Sequence, residues 1–334
     1  MGKVNILVTG SGSLYGVAII KSLLDGPLQC KVIGCDTNPM TLGLYLAHRG
    51  YLVPLAKEEE SWLKRIIEIC KKESIDGIFI GSSHEIKLFA RHRDIIKEAT
   101  GATVFVHPPQ MVDTCSDKWH TVLFLKNKGF YYPQTIPYPD HQAKLADFIK
   151  RVGFPLVVKP RTGAGSLGVE VVKTPRQLAE AIAGKENYII QEYLPDQQGE
   201  YTVGVCINKK GDVLSSIALK RNLQDGMSVS ALAEDYSDIC GYCEQVARVL
   251  GAFGSCNLQL RIKNGLPYIF EINPRFSSST GMRIALGVNE AELLIKSDLM
   301  GQQTEKPAIP KAGVIRQYID FVIPIEDINR ITSS

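Results

Sequence analysis

Two short apolar strands joined by a turn near Asn264-Gly265 constrain this 334-residue chain more than any other segment. One contains Asn257-Leu258-Gln259, and the other runs Tyr268-Ile269-Phe270-Glu271-Ile272-Asn273-Pro274-Arg275. Glu271 and Asn273 are two residues apart, so in a strand both point to the same face. Gln259, on the neighbouring strand, can lie opposite them. A carboxylate, a carboxamide and a second amide oxygen on one sheet face suit a hard, oxygen-liganded cation such as Mg²⁺. That ion keeps most of its remaining sites for water and phosphate. Arg275 follows two residues later and can fork onto a phosphate or acyl-phosphate oxygen. The competing reading is an edge hairpin with solvated polar residues.

A second segment narrows the choice. Leu156-Val157-Val158-Lys159 reads as a buried strand that delivers Lys159 at its end. Thr162-Gly163-Ala164-Gly165-Ser166-Leu167-Gly168 follows as a small flexible loop, with another strand over 169–172. Glycines there let backbone N–H groups approach phosphate oxygens closely, and the lysine supplies a point charge. This is not a Walker loop, because the Gly-Lys-Ser/Thr ending is missing and a strand follows the glycines. The alternative is a mobile hairpin turn.

Together these segments resemble the ATP-grasp superfamily, whose members hold ATP between two α+β lobes and activate a carboxylate as an acyl phosphate. The resemblance covers roughly residues 113 to 320 and keeps the family's order. It implies that Lys118, in Asp117-Lys118, is the first nucleotide lysine and Lys159 the second, on the α- and β-phosphates. Gly163, Gly165, Ser166 and Gly168 would belong to the glycine-rich flap. Gln191-Glu192-Tyr193-Leu194 would be the hinge strand at the adenine, and Glu200 the ribose-binding acid. Gln259, Glu271 and Asn273 would hold Mg²⁺, two ions for which Mn²⁺ can substitute, and Arg275 would meet the reacting phosphoryl group. Glutamine before glutamate resembles the carbamoyl-phosphate-synthase-like branch more than the D-alanine-ligase branch.

Composition sets the limits. A hydrophobic share of 45% and a charged share of 22% are those of an ordinary globular protein, with chain enough for two or three domains. A net charge of +3 gives no argument for nucleic-acid or membrane partners. No apolar run reaches about 18 residues, and the N-terminus begins with a strand pattern, so a cytoplasmic protein without a signal peptide is expected. The eight cysteines are scattered. Cys240 and Cys243 form a CxxC within a helical pattern over 235–250, without a second pair or a histidine partner, which favours helix packing over redox or metal chemistry.

Residues 1–112 alternate strands (4–9, 31–35, 77–80, 103–106) with helices (15–24, 60–71, 85–98). This predicts a Rossmann-like, doubly wound α/β domain with a parallel sheet. A small α+β lobe over 113–195 and a larger C-terminal lobe over 196–334 follow, giving a two-lobed ATP-grasp fold. The first turn, Gly10-Ser11-Gly12-Ser13-Leu14-Tyr15-Gly16, with Asp36 at the end of strand two, is close to a dinucleotide-binding pattern, although three residues separate Gly12 from Gly16. It leaves an NAD(P)-linked oxidoreductase as an alternative. The family resemblance instead implies a preceding domain that binds no nucleotide and whose strand ends wall the substrate site. Ser82-Ser83-His84-Glu85, at such a strand end, reads either as that wall or as an ordinary helix start.

The chemistry follows from charge. A carboxylate attacking the γ-phosphate approaches further negative charge, and Lys118, Lys159, Mg²⁺ and Arg275 would compensate it. By position, Arg221 and Arg283 are candidates to pin the acid's carboxylate. Gln224-Asp225-Gly226-Met227-Ser228 resembles a mobile loop over the site. The expectation is an ATP-dependent carboxylate–amine ligase acting on small molecules, with a homodimer possible and a non-catalytic ATP-binding scaffold as a further alternative.

Overall fold

A computed structural model describes residues 4–163, 165 and 167–332. The chain begins with a five-stranded parallel sheet made of β1 (Asn5–Thr9), β2 (Lys31–Asp36), β3 (Arg49–Leu52), β4 (Gly77–Ile80) and β5 (Thr103–Val104), in the order β3-β2-β1-β4-β5. Helices cover both faces, so Ile6, Leu7, Val8, Val32, Ile33, Ile78 and Phe79 are all inaccessible to solvent. On one face Trp62 meets Phe89 edge to face at 4.7 Å. On the other, Ile19, Ile20 and Leu23 of helix Leu14–Leu24 fill the core. β3 was not expected from sequence: Arg49 and Gly50 interrupt its apolar pattern, and it forms by pairing with β2 at the sheet edge.

Two antiparallel sheets follow. The smaller contains β6 (Thr135–Tyr138), β7 (Leu156–Pro160), β8 (Glu170–Val172) and β9 (Tyr188–Glu192), in the order β6-β9-β7-β8. The larger contains β10 (Glu200–Ile207), β11 (Val213–Gln224), β12 (Met227–Ala233), β13 (Gly254–Lys263), β14 (Leu266–Asn273) and β15 (Ala312–Ile315), in the order β14-β13-β10-β11-β12-β15. Helix Ser237–Val249 lies on the larger sheet and buries Cys240 and Cys243 in its core. Burial pushes both thiols up, as a packing role requires and a reactive thiolate does not.

The expected loop over 224–228 is a tight hairpin instead. Asp225 and Gly226 both have positive φ (50° and 75°), and Gln224 pairs directly with Met227. Two left-handed residues match the twist of the flanking strands, so Asp-Gly closes β11 onto β12 in a two-residue turn.

The first domain and the large lobe are pinned by His107. Its Nδ1 accepts the Phe253 N–H at 3.0 Å, and its Nε2 donates to the Ser255 carbonyl at 2.9 Å. Phe79 stacks on Phe105 at 4.6 Å and meets Phe276 edge to face at 5.7 Å, carrying the core of the parallel sheet into the large lobe.

Candidate active site

The cleft lies between the two antiparallel sheets, and β7 and β14 bring its charges together. Lys159, near the end of β7, is 5% exposed, and its ammonium sits 5.4 Å from the Phe270 ring centroid. Burial pulls its pKa down to about 8, with Glu271 opposing and Lys118 adding to the fall. A desolvated ammonium beside a second lysine is a pair of cations waiting for an anion. Lys118 opens helix Lys118–Asn127, which Asp117 caps by accepting the Trp119 N–H at 2.8 Å. Its ammonium donates to the Gly163 carbonyl at 3.0 Å and so ties the glycine-rich loop to the cleft. Gly165 and Gly168 continue that loop; Ser166, also expected in the flap, lies outside the described residues.

The expected metal ligands share one patch. Gln259 and Glu271 are direct cross-strand partners, and Asn257 faces Asn273 one step on. Asn273 Nδ2 donates to Glu271 Oε1 at 2.8 Å, and Arg275 donates to Asn273 Oδ1 at 3.1 Å. The donor set is all oxygen but holds one carboxylate. Among the described residues no group of three or more His, Cys, Asp or Glu is placed to hold a metal. Such a set fits Mg²⁺ arriving with phosphate oxygens rather than an ion caged by protein alone.

Register also fixes Glu200. It faces Arg221 on β11 and Arg261 on β13. Its carboxylate accepts from Arg221 Nε at 3.1 Å and from Arg261 Nε at 3.1 Å, and Arg221 also donates to Gln259 Oε1 at 3.0 Å. Arg221 therefore belongs to the cleft wall, held there by Glu200 and Gln259. Arg283 is not in the cleft at all. It is fully buried, paired with Glu290 at 2.7 Å and hydrogen-bonded by Ser277 and Ser279. The expectation that it binds substrate fails because no ligand can reach a guanidinium enclosed this way.

At the hinge, Gln191 turns inward to Thr135 Oγ1 at 2.9 Å. The Glu192 carboxylate accepts the Gln134 N–H at 3.0 Å and pairs with Lys263. Tyr193 and Leu194 complete the strand's run along the cleft, where Val157, Val171, Leu194 and Leu223 line an apolar slot. Sequence reasoning missed Arg261 and Phe270. Arg261 was within reach, because it lies two residues after Gln259 on the same strand face. Phe270 was not. A register shift between Gln259 and Leu260 leaves Phe270 as an extra residue on β14, so that Phe270 and Glu271 both line the cleft.

A cavity of about 770 Å³ opens at the carboxyl ends of the parallel strands, lined by Tyr15, Asp36, Lys57, Ser82, Ser83 and His84 among others. Glu85 lies at its floor. Burial raises its carboxyl to about 6, against hydrogen bonds from Trp62 Nε1 (2.9 Å) and Thr9 Oγ1 (2.7 Å). Four backbone donors of the glycine-rich turn at its rim are occupied. The Ser11, Gly12, Ser13 and Gly16 N–H groups bond to Cys35, Asp36, Gly10 and Ser13 respectively. Asp36 also accepts from the Thr37 and Asn38 N–H groups. A dinucleotide would compete for these groups, and the oxidoreductase alternative finds no support here.

A family model of the ATP-grasp domain matches residues 115–279, over the cleft and both lobes that form it. The chain belongs to the ATP-grasp superfamily. A PylC-like N-terminal domain model matches residues 6–105 of this ATP-grasp protein. The chain is 23% identical over 309 residues to the arginine-specific large chain of carbamoyl phosphate synthase from Bacillus subtilis, covering 82% of this chain and 28% of that one. It thus spans less than a third of the length of the curated relatives it matches. Its fold is shared with N5-carboxyaminoimidazole synthetase from Staphylococcus aureus complexed with ADP (TM-score 0.72, 16% identity, 94% of this chain and 81% of that one). It is shared equally with the biotin carboxylase domain of Hydrogenobacter thermophilus 2-oxoglutarate carboxylase, crystallised as a dimer with MgADP and bicarbonate (TM-score 0.72, 14% identity, 92% and 72%). Among the described residues no helix is long and apolar enough to cross a membrane.

Proposed function

We propose that this protein is an ATP-dependent ligase that activates a small-molecule carboxylate as an acyl phosphate, releasing ADP, for attack by an amine. One observation carries the reading. Lys159 and Lys118 meet at one end of an apolar cleft, and Glu271, Asn273 and Arg275 are hydrogen-bonded in a row on the strand beside it.

In this reading the apolar slot takes the adenine, and the Tyr193 and Leu194 backbone reads its edge. Glu200 takes the ribose, with Arg221 and Arg261 holding the carboxylate in place. Lys159 and Lys118 neutralise the phosphates. Glu271, Asn273 and Gln259 would hold Mg²⁺, which supplies compensating charge at the transferring phosphoryl oxygens. Arg275 faces the oxygen through which the acid attacks, so that charge building there meets a fixed guanidinium. No protein nucleophile is required, because alignment of the acid with the terminal phosphoryl group is the catalytic task. The flap residue Leu167 is 81% exposed. Closed over the cleft, it would keep water from the acyl phosphate. The acid's remaining atoms would occupy the strand-end cavity of the first domain.

A screen of small carboxylates, alone and with amines, for ADP release from Mg·ATP tests the reading. ADP that appears only when an acid is present supports it. AMP release, or ADP release dependent on an alcohol with no acid, contradicts it.

A further inference from the structure

The glycine-rich turn takes no part in the cleft, yet its contacts converge on one side chain. Asp36 Oδ2 accepts the Gly12 N–H at 2.9 Å, and Ser13 caps helix Leu14–Leu24 by accepting the Gly16 N–H at 2.9 Å. A Cβ at Gly16 would stand 2.5 Å from the Gly10 carbonyl oxygen, so glycine lets the first helical turn press against the loop. Between these fixed points sits Tyr15, 8% exposed. Its hydroxyl lies 3.3 Å from Ser83 Oγ, and its ring carries the Arg275 guanidinium 5.3 Å from the centroid. Arg275 in turn donates to the Phe276 carbonyl at 2.9 Å and to Asn273 Oδ1 at 3.1 Å. The guanidinium is thus held at its face by one domain and at its edge by another.

We propose that Tyr15 is a positioning residue for Arg275. Fixed by the glycine-rich turn, it sets the plane of the guanidinium toward the terminal phosphoryl group of the nucleotide, so the first domain completes the phosphoryl end of the cleft. The turn is then a rigid mount rather than a dinucleotide site. Gly10, Gly12, Gly16 and Asp36 matter because they fix where the Tyr15 ring lies. This inference rests on the nucleotide reading above. It adds that the parallel-sheet domain acts on ATP through one aromatic side chain.

Calorimetric titration of the whole chain with Mg·ADP and with Mg·AMP-PNP tests it, because the two ligands differ in the terminal phosphoryl group. The wild type binds the analogue more tightly than ADP. Tyr15→Leu keeps an apolar side chain but removes the ring face. It narrows that margin about tenfold while leaving ADP affinity within about twofold. Tyr15→Phe keeps the ring and retains the margin. Arg275→Lys, which keeps charge but loses the planar stack, shows the same narrowing and tests the contact from its other side. The double variant Tyr15→Leu/Arg275→Ala matches Arg275→Ala alone, as coupled partners must. A full margin in either Tyr15→Leu or Arg275→Lys with normal ADP affinity overturns the role of Tyr15 and leaves the nucleotide reading intact, as do additive losses in the double variant. A wild type that does not bind Mg·ADP overturns both.

Discussion

Lys159 of the small lobe and Phe270 of the large lobe meet across the cleft, ammonium over ring at 5.4 Å. Holding that charge between the lobes is costly. The amine falls to about 8, whereas an unfolded lysine titrates near its ordinary value. Between those two values the unfolded chain binds more protons, so stability rises with pH above 8. Near pH 7 the buried charge costs about 3 kcal/mol. Lys159→Met should therefore raise the unfolding free energy at pH 7 while abolishing Mg·ATP binding, and urea denaturation with a nucleotide titration checks both. A variant that is less stable than the wild type contradicts the account of burial.

The same shift predicts proton uptake. Phosphate beside Lys159 favours the charged amine, so Mg·ATP binding at pH 8 should draw a fraction of a proton from solvent. Titration in two buffers of different ionisation enthalpy measures it. Identical apparent enthalpies in both buffers contradict the pairing of Lys159 with phosphate.

Much of this was legible in the sequence, for definable reasons. The period-two spacing of Glu271 and Asn273 survives folding because β14 is paired along its length with β13. The helix start at Lys118 and the strand end at Lys159 were legible because both are local features, and the fold places both residues on the cleft. What failed depended on burial and pairing that spacing does not show. Arg283 looked like an available arginine beside a polar loop, and only the fold brings Glu290 to within 2.7 Å of it. Arg221 does line the cleft, and only the strand order shows that Glu200 holds it there. The hairpin at Asp225-Gly226 was a missed local signal, since an Asp-Gly pair between apolar runs marks a two-residue turn. The glycine-rich turn shows the opposite limit: spacing alone cannot reveal that the Gly12 and Gly16 N–H groups are already used.

Glu271→Gln should cut turnover by about two to three orders of magnitude, because it removes the one carboxylate of the ligand set. Folding should change little, since Asn273 can still donate to the amide oxygen. Asn273→Ala should be milder. Steady-state ADP formation at saturating Mg²⁺, with melting temperature as control, measures both. Near-normal turnover in Glu271→Gln contradicts its place among the ligands.

Arg283→Met leaves Glu290 buried without its cation and should cost about 3–5 kcal/mol. Arg283→Met/Glu290→Leu should recover most of that loss, because the unpaired charge goes with it. If Arg283→Met folds as well as the wild type but loses acid binding, Arg283 is a substrate residue after all.

His107 sets an acid limit. Burial lowers it to about 4, against a smaller opposing hydrogen bond to Ser255, so between its ordinary value and 4 the unfolded chain binds the extra proton. Stability is lost as pH falls through that window, by up to about 3 kcal/mol. Glu85, raised to about 6, acts in the opposite sense between its ordinary value and 6, and cancels in a comparison of variants. His107→Asn should be less stable than the wild type at pH 7, and the gap should narrow by pH 4.5. Urea denaturation at the two values tests it, and a constant gap contradicts a neutral buried imidazole.

The most direct test of acyl-phosphate formation follows the oxygen. An acid that supports ADP release is supplied with ¹⁸O in its carboxylate, together with Mg·ATP and an amine, and the inorganic phosphate is analysed by mass. Attack of the carboxylate on the γ-phosphate, followed by displacement of phosphate by the amine, must carry one carboxylate oxygen into the phosphate, with ADP as the other product. Phosphate without label, or label appearing in AMP, contradicts the account.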